Sequence, residues 1–196
     1  LAEGMHRIDR SLTFHAACRP DELLERGRVA ELARLGLRSV FVGAESGSQA
    51  LLDGMAKGTD SSNALDAAAV CAEHGVVGTY SFTCGYPGET DGDRAATFAL
   101  ASRIKALDPR NICFLEIISP VAGTSLFHQI AESDLGLDTA EAWSAVTDWK
   151  TARGKPWIEH PGALEAFQLA FLLSFTAPRD AKEARLRGPV RWGQRW

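Results

Sequence analysis

RSVFVGAESGSQALLDGM, residues 38–55, decides how this chain folds. Arg38 to Gly43 is a compact β-branched and aromatic run, too short for a helix and closed by a glycine. Ser48 to Met55 then carries a leucine-rich helical pattern. A strand that hands over to a helix across a small-residue loop is one βα unit, and the same switch recurs along the chain. Ser11–Cys18 is a β-prone run, and Asp21–Leu35 follows it with helical spacing. Ser62–His74 reads as a helix with serines at its start and Gly75 as its stop. Val76–Thr83 is the next strand, followed by a Gly- and Pro-containing turn at 85–88 and a helix from Asp91 to Leu107. Asn111–Ile118 is the fourth strand, and Ser125–Glu132 the helix after it.

Four strands alternating with helices predict an α/β fold with a parallel sheet and right-handed crossovers. The strands read as apolar on both faces, as buried parallel strands do. Four strands are few for a closed barrel, so the sheet is expected to be small and open, or to be part of a barrel. After Asp134 the pattern changes. A short helix over Asp138–Val146, a Trp- and Pro-containing connector over Thr147–Pro161 and a helix over Gly162–Phe175 are expected. The expected organisation is therefore βα units over 1–132 and a mostly helical C-terminal region over 133–196.

The 196 residues are 45% hydrophobic and 23% charged, with a formal charge of −4. This composition excludes collagen-like, coiled-coil and wholly disordered chains. A mildly acidic chain lacks the basic field of a nucleic-acid binder, so no nucleic-acid partner is expected. No run reaches the roughly 18 to 20 apolar residues of a membrane span. The basic end (Arg179, Lys182, Arg185, Arg187, Arg191, Arg195) reads as a solvated tail, with Trp192 and Trp196 alternatively docking on a partner. Cys18, Cys71, Cys84 and Cys113 form no zinc or cluster spacing and sit in apolar surroundings, which suits reduced thiols in the cytoplasm. The five histidines share no ligand spacing, and no metal site is expected within the chain. Phe41, Tyr80, Phe82 and Phe114 are expected in the core.

In parallel α/β sheets the functional groups collect at the carboxyl ends of the strands. Those ends here are Cys18-Arg19-Pro20, Gly43-Ala44-Glu45-Ser46-Gly47-Ser48, Cys84-Gly85-Tyr86-Pro87-Gly88-Glu89-Thr90 and Glu116–Pro120. Gly43 and Gly47 open a backbone path to a ligand. Glu45 at that mouth suits hydroxyls or an ammonium better than phosphate, or is an ordinary acid at a helix start. Glu89 and Thr90 are either ligand groups or a plain turn and cap. Arg19, held out of a helix by Pro20, is a carboxylate clamp or a surface ion-pairer.

On these residues the chain resembles the radical S-adenosylmethionine (SAM) enzymes. FVGAESGSQALLDGMAKGTD is similar to the family's fourth strand, with its G-x-E-S-G-S run and K-G-T turn, and VVGTYSFTCGYPGETDGD to its fifth, with a G-x-P-G-E-T turn. With NICFLEIISPVAGTSLF the likeness covers about residues 11–130, and it is strongest to the cobalamin-associated and methylthiotransferase-like branches. The resemblance implies a partial (β/α) barrel of the radical SAM type that binds SAM and a 4Fe–4S cluster, with cobalamin in the first of those branches. It implies reductive cleavage of SAM to a 5′-deoxyadenosyl radical acting on a small-molecule or peptide substrate. It places Glu45 and Ser46 near the SAM ribose or amino-acid moiety, Thr83, Cys84, Gly85 and Glu89 near the adenine, and Arg19 facing SAM or substrate. It assigns no catalytic residue.

The family's CxxxCxxC motif and its Gly-Gly-Glu segment are not in this sequence, so the resemblance implies a fragment with its cluster ligands upstream, inactive alone. The exposed first strand of such a half-barrel invites self-association through its edge. Two other readings are a non-catalytic SAM-binding or scaffold half-barrel and an iron-independent α/β enzyme using Glu45 or Glu89. Glu45→Ala in the complete protein is expected to weaken SAM binding, measured by equilibrium dialysis; unchanged affinity removes Glu45 from the site.

Overall fold

The computed structural model describes residues 2–9, 11–132, 137 and 139–176. The basic tail with Trp192 and Trp196 lies outside the described residues. Four strands, β1 (Phe14–Cys18), β2 (Leu37–Glu45), β3 (Val77–Cys84) and β4 (Ile112–Ile117), form one parallel sheet in the order β1-β2-β3-β4. The helices are α1 (Ala2–Ile8), α2 (Arg26–Arg34), α3 (Gln49–Gly54), α4 (Asn63–Glu73), α5 (Asp91–Leu107), α6 (Ser125–Ala131), α7 (Ala140–Val146) and α8 (Pro161–Phe175).

The βα alternation is as expected, with two informative differences. The helical stretch after β1 is broken into a 3-10 turn, Pro20–Leu23, and α2. The Glu22 carboxylate turns back to accept the Arg19 N–H at 2.7 Å, which closes that first turn on itself. β2 does not stop at Gly43. It continues through a bulge, where pairing shifts from Gly43 opposite Ser81 to Glu45 opposite Phe82, and Glu45 takes a left-handed φ of 62°. A bulge bends its strand and re-aims the next side chain. α5 has the bounds its sequence indicates, because Thr90 and Asp93 form a capping box: the Thr90 hydroxyl accepts the Asp93 N–H and the Asp93 carboxylate accepts the Thr90 N–H.

The strands bury one face only. Val40, Val42, Ala44, Tyr80, Phe82, Cys84, Cys113, Leu115 and Ile117 alternate onto the face covered by helices and are almost fully enclosed. α8 closes that layer, with Phe171 packed edge-on against Phe82 at 5.6 Å and Phe175 against Phe98 at 4.7 Å. The opposite face carries His15, Phe41, Ser81, Phe114 and Glu116 and stays half-open, so the reading of strands apolar on both faces is corrected. Phe41, expected in the core, is 45% exposed because no described element covers that side. Phe114 points the same way.

The loop after β2 is fastened to α5. Ser46, fully buried, shares a hydrogen bond with the Thr97 hydroxyl at 3.2 Å, and the Gly47 N–H donates to the same oxygen at 3.0 Å. Gly47 lies against the helix backbone so closely that a Cβ there would come within 2.6 Å of the Ala96 carbonyl carbon. Gly47→Ala is therefore expected to lower stability by about 1–3 kcal/mol, as overpacking does. Thermal unfolding measures this, and an unchanged midpoint would show that the loop can retreat from α5.

Candidate functional site

The carboxyl ends of β2, β3 and β4 surround a cavity of about 260 Å³ lined by Glu45, Met55, Lys57, Tyr86, Ser119 and Thr124, among others. The bulge points the Glu45 carboxylate at this mouth, where it accepts the Lys57 ammonium at 2.8 Å. Lys57 stands on the Lys-Gly-Thr turn after α3. Arg19 braces that turn from below: its guanidinium donates to the Lys57 carbonyl at 2.9 Å and pairs with Asp21 at 3.0 Å. Thr83 donates its hydroxyl to the Glu45 carbonyl at 3.4 Å, tying β3 to the bulge. The Ser119 hydroxyl, just past β4, is buried and has no hydrogen-bond partner among the described residues.

The expected site residues therefore separate by position. Glu45 lines the mouth, Thr83 fixes its backbone, and Arg19 reaches the mouth only through the Lys57 turn. Ser46 faces away from the cavity, onto Thr97. Cys84 alternates onto the helix-covered face, where burial pushes its thiol well above the ordinary range. Gly85 and Glu89 build the turn itself. Glu89, with a side chain only 2% exposed, accepts the Gly85 N–H at 2.7 Å and an Arg94 N–H at 3.2 Å. On the other side of the same glycine, the Trp157 indole donates to the Gly85 carbonyl at 2.9 Å. Burial raises the Glu89 carboxyl above its ordinary value, opposed by the Gly85 N–H and the Arg94 charge.

Two mouth residues, Lys57 and Ser119, were not singled out in the sequence. Lys57 follows a short helix in a Lys-Gly-Thr turn, which is a readable signal that a lysine is presented there. Nothing local marks Ser119, since its place in the cavity wall depends on three strands meeting.

Among the described residues no three His, Cys, Asp or Glu side chains converge as metal ligands. The four cysteines are free, and burial lifts Cys18 to about 11 and Cys71 and Cys113 to about 12. No three of them meet at one point, so they do not fit a cluster. The mouth, by contrast, fits a polar organic ligand: the Glu45 carboxylate and the Lys57 ammonium line one small cavity, with Ser119 in its wall. No described helix is long and apolar enough to cross a membrane.

A parallel sheet with helices on one face, an open inner face and polar groups at its carboxyl ends defines part of a (β/α) barrel. Residues 6–101 match the model of the Radical SAM superfamily. Among solved structures it is similar to TsrM from Kitasatospora setae, a radical S-adenosylmethionine methyltransferase with cobalamin and a [4Fe-4S] cluster bound. That likeness has a TM-score of 0.55 and 22% identity, over 67% of this chain and 24% of that one. OxsB, a cobalamin-dependent S-adenosylmethionine radical enzyme with aqua-cobalamin bound, matches with a TM-score of 0.49 and 19% identity, over 67% of this chain and 19% of that one. The chain thus spans about a quarter of the length of TsrM. No curated protein matches it. The fold is the partial radical SAM barrel.

In the Glu89–Arg94 pair the carboxylate is enclosed and the guanidinium partly exposed. Removing Arg94 strands a buried carboxylate, so Arg94→Met is expected to destabilise by about 3 kcal/mol, and Glu89→Gln by less. Because the folded-state value of Glu89 lies above its ordinary 4.5, the folded chain keeps a proton that the unfolded chain has released. Its contribution to stability therefore falls as pH rises through that window. Denaturant titrations above pH 4.5 should show this slope in the wild type and lose it in Glu89→Gln; equal slopes would place the group's titration elsewhere.

Proposed function

We propose that this chain supplies the last four βα units of a radical SAM barrel and binds SAM at the mouth formed by β2, β3 and β4. The observation that carries the reading is the joint presence of the Glu45–Lys57 pair and the unpartnered Ser119 hydroxyl at one cavity, within a radical SAM segment. Glu45 is suited to accept from the ribose hydroxyls of SAM. Lys57 has donors beyond the one facing Glu45 and is suited to hold the carboxylate of the methionine moiety. Ser119 gains a partner when a polar ligand fills the cavity. Arg19 and Thr83 act through these groups, holding the Lys57 turn and the Glu45 backbone. Ser46, Cys84, Gly85 and Glu89 shape the two loops.

SAM, when reduced, supplies a 5′-deoxyadenosyl radical that abstracts hydrogen from a substrate. The 4Fe–4S ligands belong, in this proposal, to a CxxxCxxC segment of a longer cytoplasmic enzyme in which this chain forms the C-terminal half of the barrel. The likeness to TsrM extends the proposal to cobalamin as a further cofactor of that enzyme. The substrate is a small molecule or a peptide. A second reading, a SAM-binding half-barrel without radical chemistry, is favoured by the lack of a cluster site among the described residues.

Isothermal titration of SAM into the protein tests the shared part of both readings. Losing a charge-assisted hydrogen bond costs on the order of tenfold or more in affinity. Lys57→Met is expected to show that loss with the fold intact. Equal SAM affinity in the variant would refute the placement. Iron and sulfide in the complete protein then separate the radical enzyme from the binding module: about four irons per chain support the first and none the second.

A further inference from the structure

The half-open inner face of the sheet carries a pattern that the SAM mouth does not use. Strand alternation and register arrange it in layers. Ala17, Phe41, Thr79 and Ile112 form one layer. Gly43, Ser81 and Phe114 form the next, and Thr83 and Glu116 stand above them. Phe41 of β2 and Phe114 of β4 lean together across β3, their ring centroids 5.8 Å apart and tilted by 47°. Phe41 is 45% exposed, an unusual position for a phenylalanine on a sheet. Glu116 lies two residues above Phe114 on the same strand and face, roughly 7 Å along it. Its carboxylate makes no hydrogen bond or ion pair among the described residues, whereas Glu45, one register step lower on β2, has Lys57.

An aromatic shelf with an uncompensated carboxylate directly above it selects by chemistry. The rings take a flat apolar body by stacking and area burial, and also attract a cation to their faces. The carboxylate takes a protonated nitrogen and repels an acid. We propose that Glu116, with Phe41 and Phe114, is the substrate-selecting wall of this barrel, and that its substrate carries a protonated nitrogen beside a flat apolar group. This rests on the radical SAM reading, which makes the inner face the side where a substrate meets SAM, but it concerns residues outside the SAM mouth. Glu116 recognises and orients; it is given no part in the chemistry.

Three probes that share one body separate the possibilities: 2-phenylethylamine, 2-phenylethanol and 3-phenylpropionate, titrated by saturation-transfer NMR into the complete protein with and without SAM. The amine is expected to bind at least about tenfold tighter than the other two, the scale of one charge-assisted contact. Glu116→Gln is expected to erase that preference while leaving SAM affinity and iron content unchanged. Phe41→Ala is expected to weaken all three probes together. Equal binding of amine and carboxylate by the wild type overturns the proposal, as does a preference that survives in Glu116→Gln. A preference lost in Glu116→Gln, in a protein that binds no SAM, keeps the wall and removes the radical SAM reading instead. Should Glu116→Gln fail to fold, Glu116→Asp, with its carboxylate drawn back by one methylene, is expected to weaken amine binding selectively, and equal amine affinity in that variant overturns the proposal.

Discussion

The close approach of Gly47 to the backbone of α5 is the constraint on which the mouth of this barrel depends. One hydroxyl, that of Thr97, takes both the Gly47 N–H and the Ser46 side chain, and so fixes the loop after β2 against a long helix. With its far end fixed, the bulge can hold Glu45 in a conformation it would not adopt freely. The helix is in turn anchored at its start by the Thr90–Asp93 capping box, and Ser48 donates to the same Asp93 at 2.5 Å. A motif read as a ligand loop is thus largely a fastening, and the group it presents is the single residue before it.

The second loop is held by a different logic. The Gly85 peptide is gripped at both ends, its N–H by Glu89 and its carbonyl by Trp157. Trp157 belongs to the connector between α7 and α8, so the C-terminal region is joined directly to the carboxyl end of β3. Trp149 adds another tie, its carbonyl accepting the Ile117 N–H at 3.1 Å. The C-terminal region therefore packs along the outside of the sheet through α8 and reaches the strand ends through its connector.

Much of this was legible in the sequence, for physical reasons that differ by element. The start of α5 could be placed because a turn and a capping threonine at its N-terminus are local chemistry. The four strands and their parallel direction followed from periodicity and the crossover rule. The bulge could not be read, since it arises from pairing between β2 and β3, and a glycine at 43 looked like the strand's end. Phe41 was assigned to the core because hydrophobicity marks a strand without saying which face is covered. Lys57 reached the site through the fold of its turn, and Arg19 was drawn off to brace it. Ser119 is visible only once three strand ends meet. The likeness to radical SAM enzymes supplied the chemistry that the pattern alone left open among several carboxylate roles.

Glu45 has a left-handed backbone, and such a position disfavours any side chain relative to glycine by about 1 kcal/mol or more. Judged by folding alone, glycine is the better residue there. A stabilisation campaign that idealises backbone geometry would select Glu45→Gly early and report a success. That success would delete the carboxylate that Lys57 pairs with among the described residues and leave a cation facing an empty acceptor position. In this barrel a substitution attractive for stability would remove the carboxylate proposed to meet the ligand, so thermostability screens of it need a binding readout beside them.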